Sequence, residues 1–346
     1  MFNIGPYTFD NRVFLAPMAG ITDLPFRRLC RLLGAGHAIS EMTSARPEFL
    51  HTRKSKLKRC HLQEYAPAHV QIAGYDPQEM ADAAVFNVQQ GADIIDINMG
   101  CPAKKVCNRL AGSALLRDEG LVQEILQAVV EAVTVPVTLK TRTGWDIDTR
   151  NALNIACIAE QSGIAAFTLH GRTRCDFYKG QAEHQTLVEV KKQVSIPVIA
   201  NGDIDSLDTA KKLLEESGAD GIMIGRAAQQ APWLPGMIAE GLTTGKLPAA
   251  PDLQQKHAIL ARLAQDIHHF YGENIGLRMA RKHIAWQLAP FNLDRDQRNA
   301  LLRTADSQSQ LSAIDNLFRS LGSTSNRPDS HSLPYLQIDH EIIKAA

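Results

Sequence analysis

The chain has 346 residues, with 37 Lys+Arg against 37 Asp+Glu and a formal net charge of zero. That length buries a sizeable core in one large domain or two, and the balanced charge excludes a global basic excess, so any nucleic acid must be held by local patches. The six cysteines include no C-x-x-C pair, which argues against a metal site and for free thiols in a reducing, cytoplasmic compartment.

The opening MFNIGPYTFDNR lacks the basic-then-apolar order of a signal peptide, and no apolar run reaches the roughly 18 residues of a membrane span. Short apolar runs then recur at 13–18, 37–42, 69–74, 93–98, 137–142, 165–170, 197–202 and 220–225. Each is followed by an amphipathic stretch such as PQEMADAAVFNVQQGA, with apolar residues at three- and four-residue spacing and a closing glycine. Strands alternating with helices imply a parallel sheet with helices outside. Eight units in roughly 240 residues favour a closed (β/α)8 TIM barrel over an open sheet. The first strand is not followed by the G-x-G-x-x-G of a doubly wound dinucleotide fold. We therefore expect an α/β barrel over 1–242 and a linker at 243–252, where TTGKLPAAPD carries turn residues and two prolines. A helical domain is expected over 253–321, and the polar, Ser- and Pro-rich 322–346 is expected to be disordered.

In a barrel, the C-terminal strand ends form the active-site rim. Those ends offer Pro17-Met18-Ala19, Glu41, Gln71, Asn98, Lys140 with Arg142, His170, Asn201-Gly202-Asp203 and Gly225-Arg226. Nearly every strand thus finishes in a hydrogen-bonding or charged side chain, which points to a functional mouth. The glycines of the last two ends suit backbone contact with a phosphate. Lys140 at such a mouth is a Schiff-base nucleophile, an anion binder or an electrostatic partner for a cofactor ring. Cys101 follows DIIDINMG and precedes Pro102. It can donate a proton as a thiol or attack as a thiolate, and Lys104 and Lys105 favour the thiolate if they face the sulfur. Cys107 is ambiguous, and Cys30, Cys157 and Cys175 read as inert.

Two basic stretches stand out. Residues 46–61 hold six Lys/Arg (46, 53, 54, 56, 58 and 59) and one Glu. In GLRMARKHIAWQL (276–288), Leu277, Ala280, Ile284 and Leu288 fall on one helical stripe, with Arg278, Arg281 and Lys282 beside it. That spacing predicts a docked helix presenting a basic edge to a nucleic-acid backbone.

The strings APMAGITDLPFRRL, DINMGCPAKKV, LAGSALL, LKTRTGW, LHGRTR, IANGDI and IGRAA together resemble the tRNA-dihydrouridine synthases, most closely the bacterial B subgroup. The likeness runs from about Ile4 to Leu321 and keeps the family's motif order. It implies an FMN-binding TIM barrel followed by a helical tRNA-binding domain. Carried over by motif, Pro17, Met18, Ala19, Gln71, Lys140, His170, Asn201, Gly202, Asp203, Gly225 and Arg226 hold FMN. On the same ground Cys101 is the catalytic proton donor and Asn98 faces the uracil; Arg142, at the strand end of Lys140, and the basic edge of Arg278, Arg281 and Lys282 are expected on the substrate side. Cys107 departs from the family's pattern and receives no role.

The implied reaction reduces the C5=C6 bond of a D-loop uridine, with NADPH (or NADH) as reductant and tRNA as partner, in a monomer. The rival reading is an FMN barrel enzyme acting on a free small molecule, such as a dihydroorotate dehydrogenase or an ene-reductase. Such an enzyme has no need of a basic helical appendix.

Overall fold

The computed structural model describes residues 2–323 apart from 51, 59–63 and 109. It opens with a hairpin that the periodicity of the sequence does not announce. Strands β1 (Phe2–Ile4) and β2 (Tyr7–Phe9) pair antiparallel, with Phe2 opposite Phe9. Three residues a side is too short for a readable pattern. The hairpin nonetheless caps the barrel floor: the rings of Phe2 and Phe9 each meet Phe14 edge-on at 5.2 Å.

The barrel strands follow as β3 (Val13–Leu15), β4 (His37–Ala38), β5 (Thr43–Ser44), β6 (His69–Ala73), β7 (Ile94–Met99), β8 (Val137–Arg142), β9 (Ala166–His170), β10 (Val198–Asn201) and β11 (Gly221–Ile224). These nine form one sheet, parallel throughout. β11 returns to pair with β3, and β3 pairs with β4. The chain just after β4 bridges Ile39 to His69 of β6, while β5 also pairs with β6. β4 and β5 are therefore two pieces of one barrel strand, and the ring closes.

The sequence predicted a single strand over 37–42, and Ser40 explains the break. Its N–H reaches the His69 carbonyl at 2.9 Å, but its hydroxyl accepts the Gln71 N–H at 3.1 Å, taking a place in the ladder that a carbonyl would fill. Glu41 then turns inward, where it accepts the Gly20 N–H and faces Lys58 Nζ at 3.5 Å.

Side chains alternate strictly along β7. Ile95, Ile97 and Met99 pack outward under the helices, while Ile94 joins the floor with Phe2, Phe9 and Phe14. Asp96 and Asn98 share the inward face with Ile94. The barrel interior thus has an apolar floor, a polar middle layer and a polar mouth. Four of the surrounding helices start on side-chain caps, from Asp23, Asp76, Asp118 and Ser206, each worth about 1 kcal/mol.

The helix Leu234–Thr244 runs two residues beyond the expected boundary at 242. Thr243 and Thr244 bond back to the carbonyls of Ala239 and Glu240 and prolong it, and left-handed Gly245 ends it. Helices Leu253–Tyr271, Glu273–Gln287, Arg295–Leu302 and Ser307–Ser323 follow. Gly322 and Ser323 thus belong to the last helix and not to the tail, and the remainder of the expected disordered segment, from 324, lies outside the described residues.

Leu277, Ala280, Ile284 and Leu288 are all buried. Ala280, Ile284 and Leu288 join one apolar cluster that also contains Phe26 and Leu29 of the first barrel helix, and the Phe26 and His283 rings lie 4.9 Å apart. The helical segment is fused to the barrel through a shared core.

Candidate active site

A cavity of about 1200 Å³ opens at the C-terminal ends of the barrel strands. The loop after β3 lines it with Pro17, Met18 and Ala19, β6 with Gln71, and β7 with Asn98 and the following Cys101. Lys140 and Arg142 reach it from β8 and His170 from β9. β10 and β11 contribute Asn201-Gly202-Asp203 and Gly225-Arg226. The fold therefore brings every rim residue that the resemblance placed at the cofactor, with Cys101, Asn98 and Arg142, onto one cavity.

The strand register sets their order. Asn98 lies level with Lys140, Arg142 with His170, and His170 with Asn201. Lys140 Nζ donates to Asn201 Oδ1 at 2.9 Å, and Asn201 Nδ2 donates to the Met223 carbonyl at 2.7 Å, which fixes the amide's orientation. Burial, with Arg142 nearby, pushes Lys140 down to about 8, while Asp96 pulls it up. Burial, with Lys140 and three arginines around it, also drives His170 far below the ordinary imidazole range, so the ring is neutral.

Asp203 accepts from Arg172 at 2.6 Å, from the Ala182 N–H at 2.8 Å and from Arg226 at 3.0 Å. Gly202 must be glycine. Its φ is +134°, and a Cβ there would stand 2.7 Å from Ala182 Cβ and 3.2 Å from the His170 ring.

Cys101 is partly exposed at the lip. Burial pushes its thiol up, the Ala103 N–H lowers it, Cys107 raises it and Arg142 lowers it, for a net rise. Lys104 is exposed and does not appear among these influences, so Lys104 lends the thiolate option no support. The Lys105 side chain lies outside what is described.

The Cys101 backbone is pinned on both sides. Its N–H donates to Asn98 Oδ1 at 3.0 Å, and its carbonyl accepts from Ser113 Oγ at 2.8 Å and from Cys107 Sγ at 3.5 Å. Cys107, which the sequence left without a role, is a buried prop for this loop.

Arg142, expected on the substrate side, lines the cavity with its guanidinium already engaged. It is 2 % exposed. Its Nε donates to the Gly100 carbonyl at 2.7 Å, and Nη1 donates to the carbonyls of Thr173 and Phe177 at 2.9 and 2.8 Å. Those bonds clamp the loops after β7 and β9 against each other.

On the helix Glu273–Gln287 the three residues of the expected basic edge have different surroundings. Arg278 is exposed and, among the described residues, donates only to the Asn274 carbonyl one turn back, at 3.1 Å, whereas Arg281 donates to the Thr304 carbonyl at 3.0 Å and Lys282 donates to the Gly20 carbonyl. Two of the three charges are spent holding the helical segment together and onto the barrel. None of the three lines the cavity.

In the other basic stretch, Arg46 pairs with Glu48 at 2.5 Å and Lys58 donates to the Met42 carbonyl at 3.0 Å. Arg59 lies outside the described residues, as do the side chains of Arg53 and Lys54.

Trp286 and Tyr178, both at the cavity, escaped the sequence reading. Trp286 lines it from the helical segment. It stands one turn after Lys282, off the apolar stripe, and that i,i+4 pairing was the available signal. Tyr178, on the loop after β9, faces Arg142 and Arg226 with ring distances of 5.4 and 5.2 Å. No local pattern marks it.

With this geometry in place, the relatives are informative. A family model described as Dihydrouridine synthase (Dus) matches residues 14–321. The tRNA-dihydrouridine synthase B of Pseudomonas aeruginosa is 55% identical over 316 residues, covering 91% of this chain and 95% of that protein. That of Pasteurella multocida is 52% identical over 315 residues, covering 91% and 95%. That of Vibrio vulnificus is 50% identical over 320 residues, covering 92% and 99%.

Among solved structures, a 2-naphthoyl-CoA reductase matches with a TM-score of 0.53 at 14% identity, covering 71% of this chain and 52% of that one. At that identity it speaks to the barrel fold alone. No helix among the described residues is long and apolar enough to cross a membrane. A closed barrel with a polar mouth, the helical segment fused to it and this depth of identity along nearly the whole chain lead to one conclusion: the chain belongs to the dihydrouridine synthase family, oxidoreductases that act on uridine in tRNA.

Proposed function

We propose that this chain binds FMN, takes electrons from NADPH (or NADH), and reduces a D-loop uridine of tRNA to 5,6-dihydrouridine with Cys101 as proton donor. It works as a cytoplasmic monomer. The observation that carries the reading is the pairing of a buried cation, Lys140, with a protonated thiol, Cys101, on one cavity.

The residues present fit the cofactor. At about 1200 Å³ the cavity exceeds the roughly 300–1,000 Å³ that encloses one drug-sized ligand, leaving room for a flavin and a base together. Gly202 keeps the wall clear where a side chain would project. Gln71, Lys140, neutral His170 and Asn201 supply donors and acceptors along the ring, and Arg226, anchored by Asp203, supplies rim charge for the phosphate. When bound, FMN would supply the hydride that adds at uracil C6.

The chain's own residues do the remainder. Lys140 offers positive charge in a desolvated site, where it is worth far more than in water. Cys101 holds the proton for C5, and general acid catalysis of this kind contributes roughly 10²–10⁴-fold. Its place at the lip lets solvent restore that proton after each turnover. Asn98 and Tyr178 border the space into which the target base must swing, at a cost of a few kcal/mol.

The test is to load the purified protein with FMN and measure dihydrouridine in tRNA from a strain deleted for the enzyme. Turnover on tRNA should far exceed turnover on free uridine. Cys101→Ala should keep FMN and NADPH oxidation yet lose most tRNA reduction. A colourless protein that cannot be reconstituted with FMN, or equal rates on free uridine, overturns the reading.

A further inference from the structure

A hydrogen-bonded chain runs across the polar middle layer of the barrel, and its direction can be read from donor and acceptor chemistry. Arg31 has only donors, so the His37 Nδ1 that it meets at 3.1 Å is an acceptor. His37 Nε2 must then carry the proton toward His69 Nδ1 at 3.1 Å. His69 Nε2 in turn donates to Thr138 Oγ1 at 2.9 Å, and Thr138 donates to Asp96 Oδ1 at 2.6 Å. Burial holds both imidazoles below their ordinary range, consistent with neutral rings.

A second chain reaches the same carboxylate from the mouth. The Cys101 N–H donates to Asn98 Oδ1 at 3.0 Å, Asn98 Nδ2 donates to Gln71 Oε1 at 2.8 Å, and Gln71 Nε2 donates to Asp96 Oδ2 at 2.7 Å. Every link points toward Asp96. It is fully buried and does not line the cavity.

Two of the links are carboxamides, whose ends are interchangeable in shape but not in hydrogen bonding. Nothing in Asn98 or Gln71 alone decides which end faces which neighbour. A carboxylate accepts only, so it forces the Gln71 NH2 toward itself. The Gln71 oxygen then faces Asn98, and the Asn98 oxygen faces the Cys101 and Gly100 N–H groups. Reversing any one amide would oppose two donors or two acceptors inside a buried site, a cost of about 1–3 kcal/mol per unsatisfied group. The amide links cannot pass a proton along, so the chain orients and does not conduct.

We propose that Asp96 is a positioning residue for the uridine half of the reaction, setting the direction of the Gln71 and Asn98 amides and so pinning the loop that carries Cys101. The link to uridine rests on Cys101 being the proton donor. The pinning of the loop does not.

The test uses the full chain loaded with FMN, and reads the loop by the rate at which Cys101 is alkylated by iodoacetamide at fixed pH, located by peptide mapping. Asp96→Asn and Asn98→Asp should each speed alkylation several-fold. The first lets Gln71 turn over, and the second sets an oxygen of residue 98 against the Gln71 oxygen. The double substitution moves the carboxylate two residues along β7. Asp96→Asn then donates to a reversed Gln71, which donates to the carboxylate at 98, and that carboxylate still accepts from the Cys101 N–H. Every bond is satisfied again, so the double variant should return toward the parent alkylation rate.

Rescue is something a merely space-filling role would not give. Single variants that alkylate at the parent rate, or a double variant additive in its two parts, overturn the proposal. If a single variant fails to fold, recovery of soluble, flavin-binding protein in the double variant is the expected result, and failure to recover counts against the idea. Turnover is read for Asp96→Asn alone, where tRNA reduction should fall at least tenfold while NADPH oxidation persists. Faster alkylation with undiminished tRNA reduction would leave the pinning intact and overturn Cys101 as the acid.

Discussion

Lys140 is a charged residue at a place where folding alone would not choose one. Its pKa is pushed down to about 8 from an ordinary 10.5, first by burial and then by Arg142. A lysine whose folded pKa is depressed costs stability while it is charged in both states, below about pH 8 here. The cost shrinks as pH rises toward the unfolded value. At about 1.4 kcal/mol per unit it reaches roughly 3 kcal/mol, of which the hydrogen bond to Asn201 returns about 1. Ligand-free Lys140→Met should therefore be more stable than the parent by about 2 kcal/mol at pH 7. The advantage should vanish at about pH 10, where the remaining cost has fallen to the worth of that hydrogen bond, as chemical denaturation across pH will show. An unchanged gap across that range would mean that the ion is not penalised.

Cys101 carries the opposite sign of the same physics, because burial disfavours its anion. Its alkylation should rise through a midpoint above that of a free thiol, and a midpoint below about 8 would restore the nucleophile reading. Both residues were legible as chemistry-bearing positions because an ionisable group ended a run of apolar ones. Their protonation was not legible. It depends on Arg142, Cys107 and Asp96, which reach them from neighbouring strands or through the loop fold.

At the scale of the element, the loop after β7 is built around Gly112. Its φ is +63°, and a Cβ would sit 2.8 Å from the Cys101 carbonyl oxygen and 3.0 Å from Val106. Gly112→Ala should cost about 1–3 kcal/mol and displace the loop, lowering tRNA reduction while FMN stays bound. Thermal melts with the flavin absorbance and a dihydrouridine assay separate the two effects. Wild-type tRNA reduction in this variant would show that the loop tolerates the shift.

The strands themselves were largely readable, since β7, β8 and β9 are long enough for apolar runs to show. β1, β2 and the break between β4 and β5 were not. The hairpin strands have three residues each, and the break depends on one serine hydroxyl that meets a neighbouring strand. The overrun at Thr243 and Thr244 was hidden for a related reason: threonine reads as a turn residue unless its back-bond to the preceding turn is seen.

For the whole molecule, zero net charge means that tRNA affinity must come from where charge is left free. Sequence spacing put Arg278, Arg281 and Lys282 on one basic edge. The folded chain divides them, because the partners of Arg281 and Lys282 are carbonyls distant in sequence, at Thr304 and Gly20. Lys282 instead ties the helix to the loop that carries Met18 and Ala19 at the cavity. Each phosphate contact contributes roughly 0.7–0.9 to the slope of log affinity against log salt. Arg278→Gln should therefore flatten that slope by about one unit and weaken all tRNA substrates alike, as a phosphate contact does and a base contact does not. Arg281→Gln should leave the slope unchanged and lower the melting temperature instead. Lys282→Gln should also spare the slope, while its loss of the Gly20 contact loosens the docking of the helical segment on the barrel. A salt titration of tRNA affinity for the three single variants decides the matter. Equal flattening by all three would mean that Arg281 and Lys282 exchange their carbonyl partners for phosphates when tRNA binds, and the basic edge would stand as the sequence first drew it.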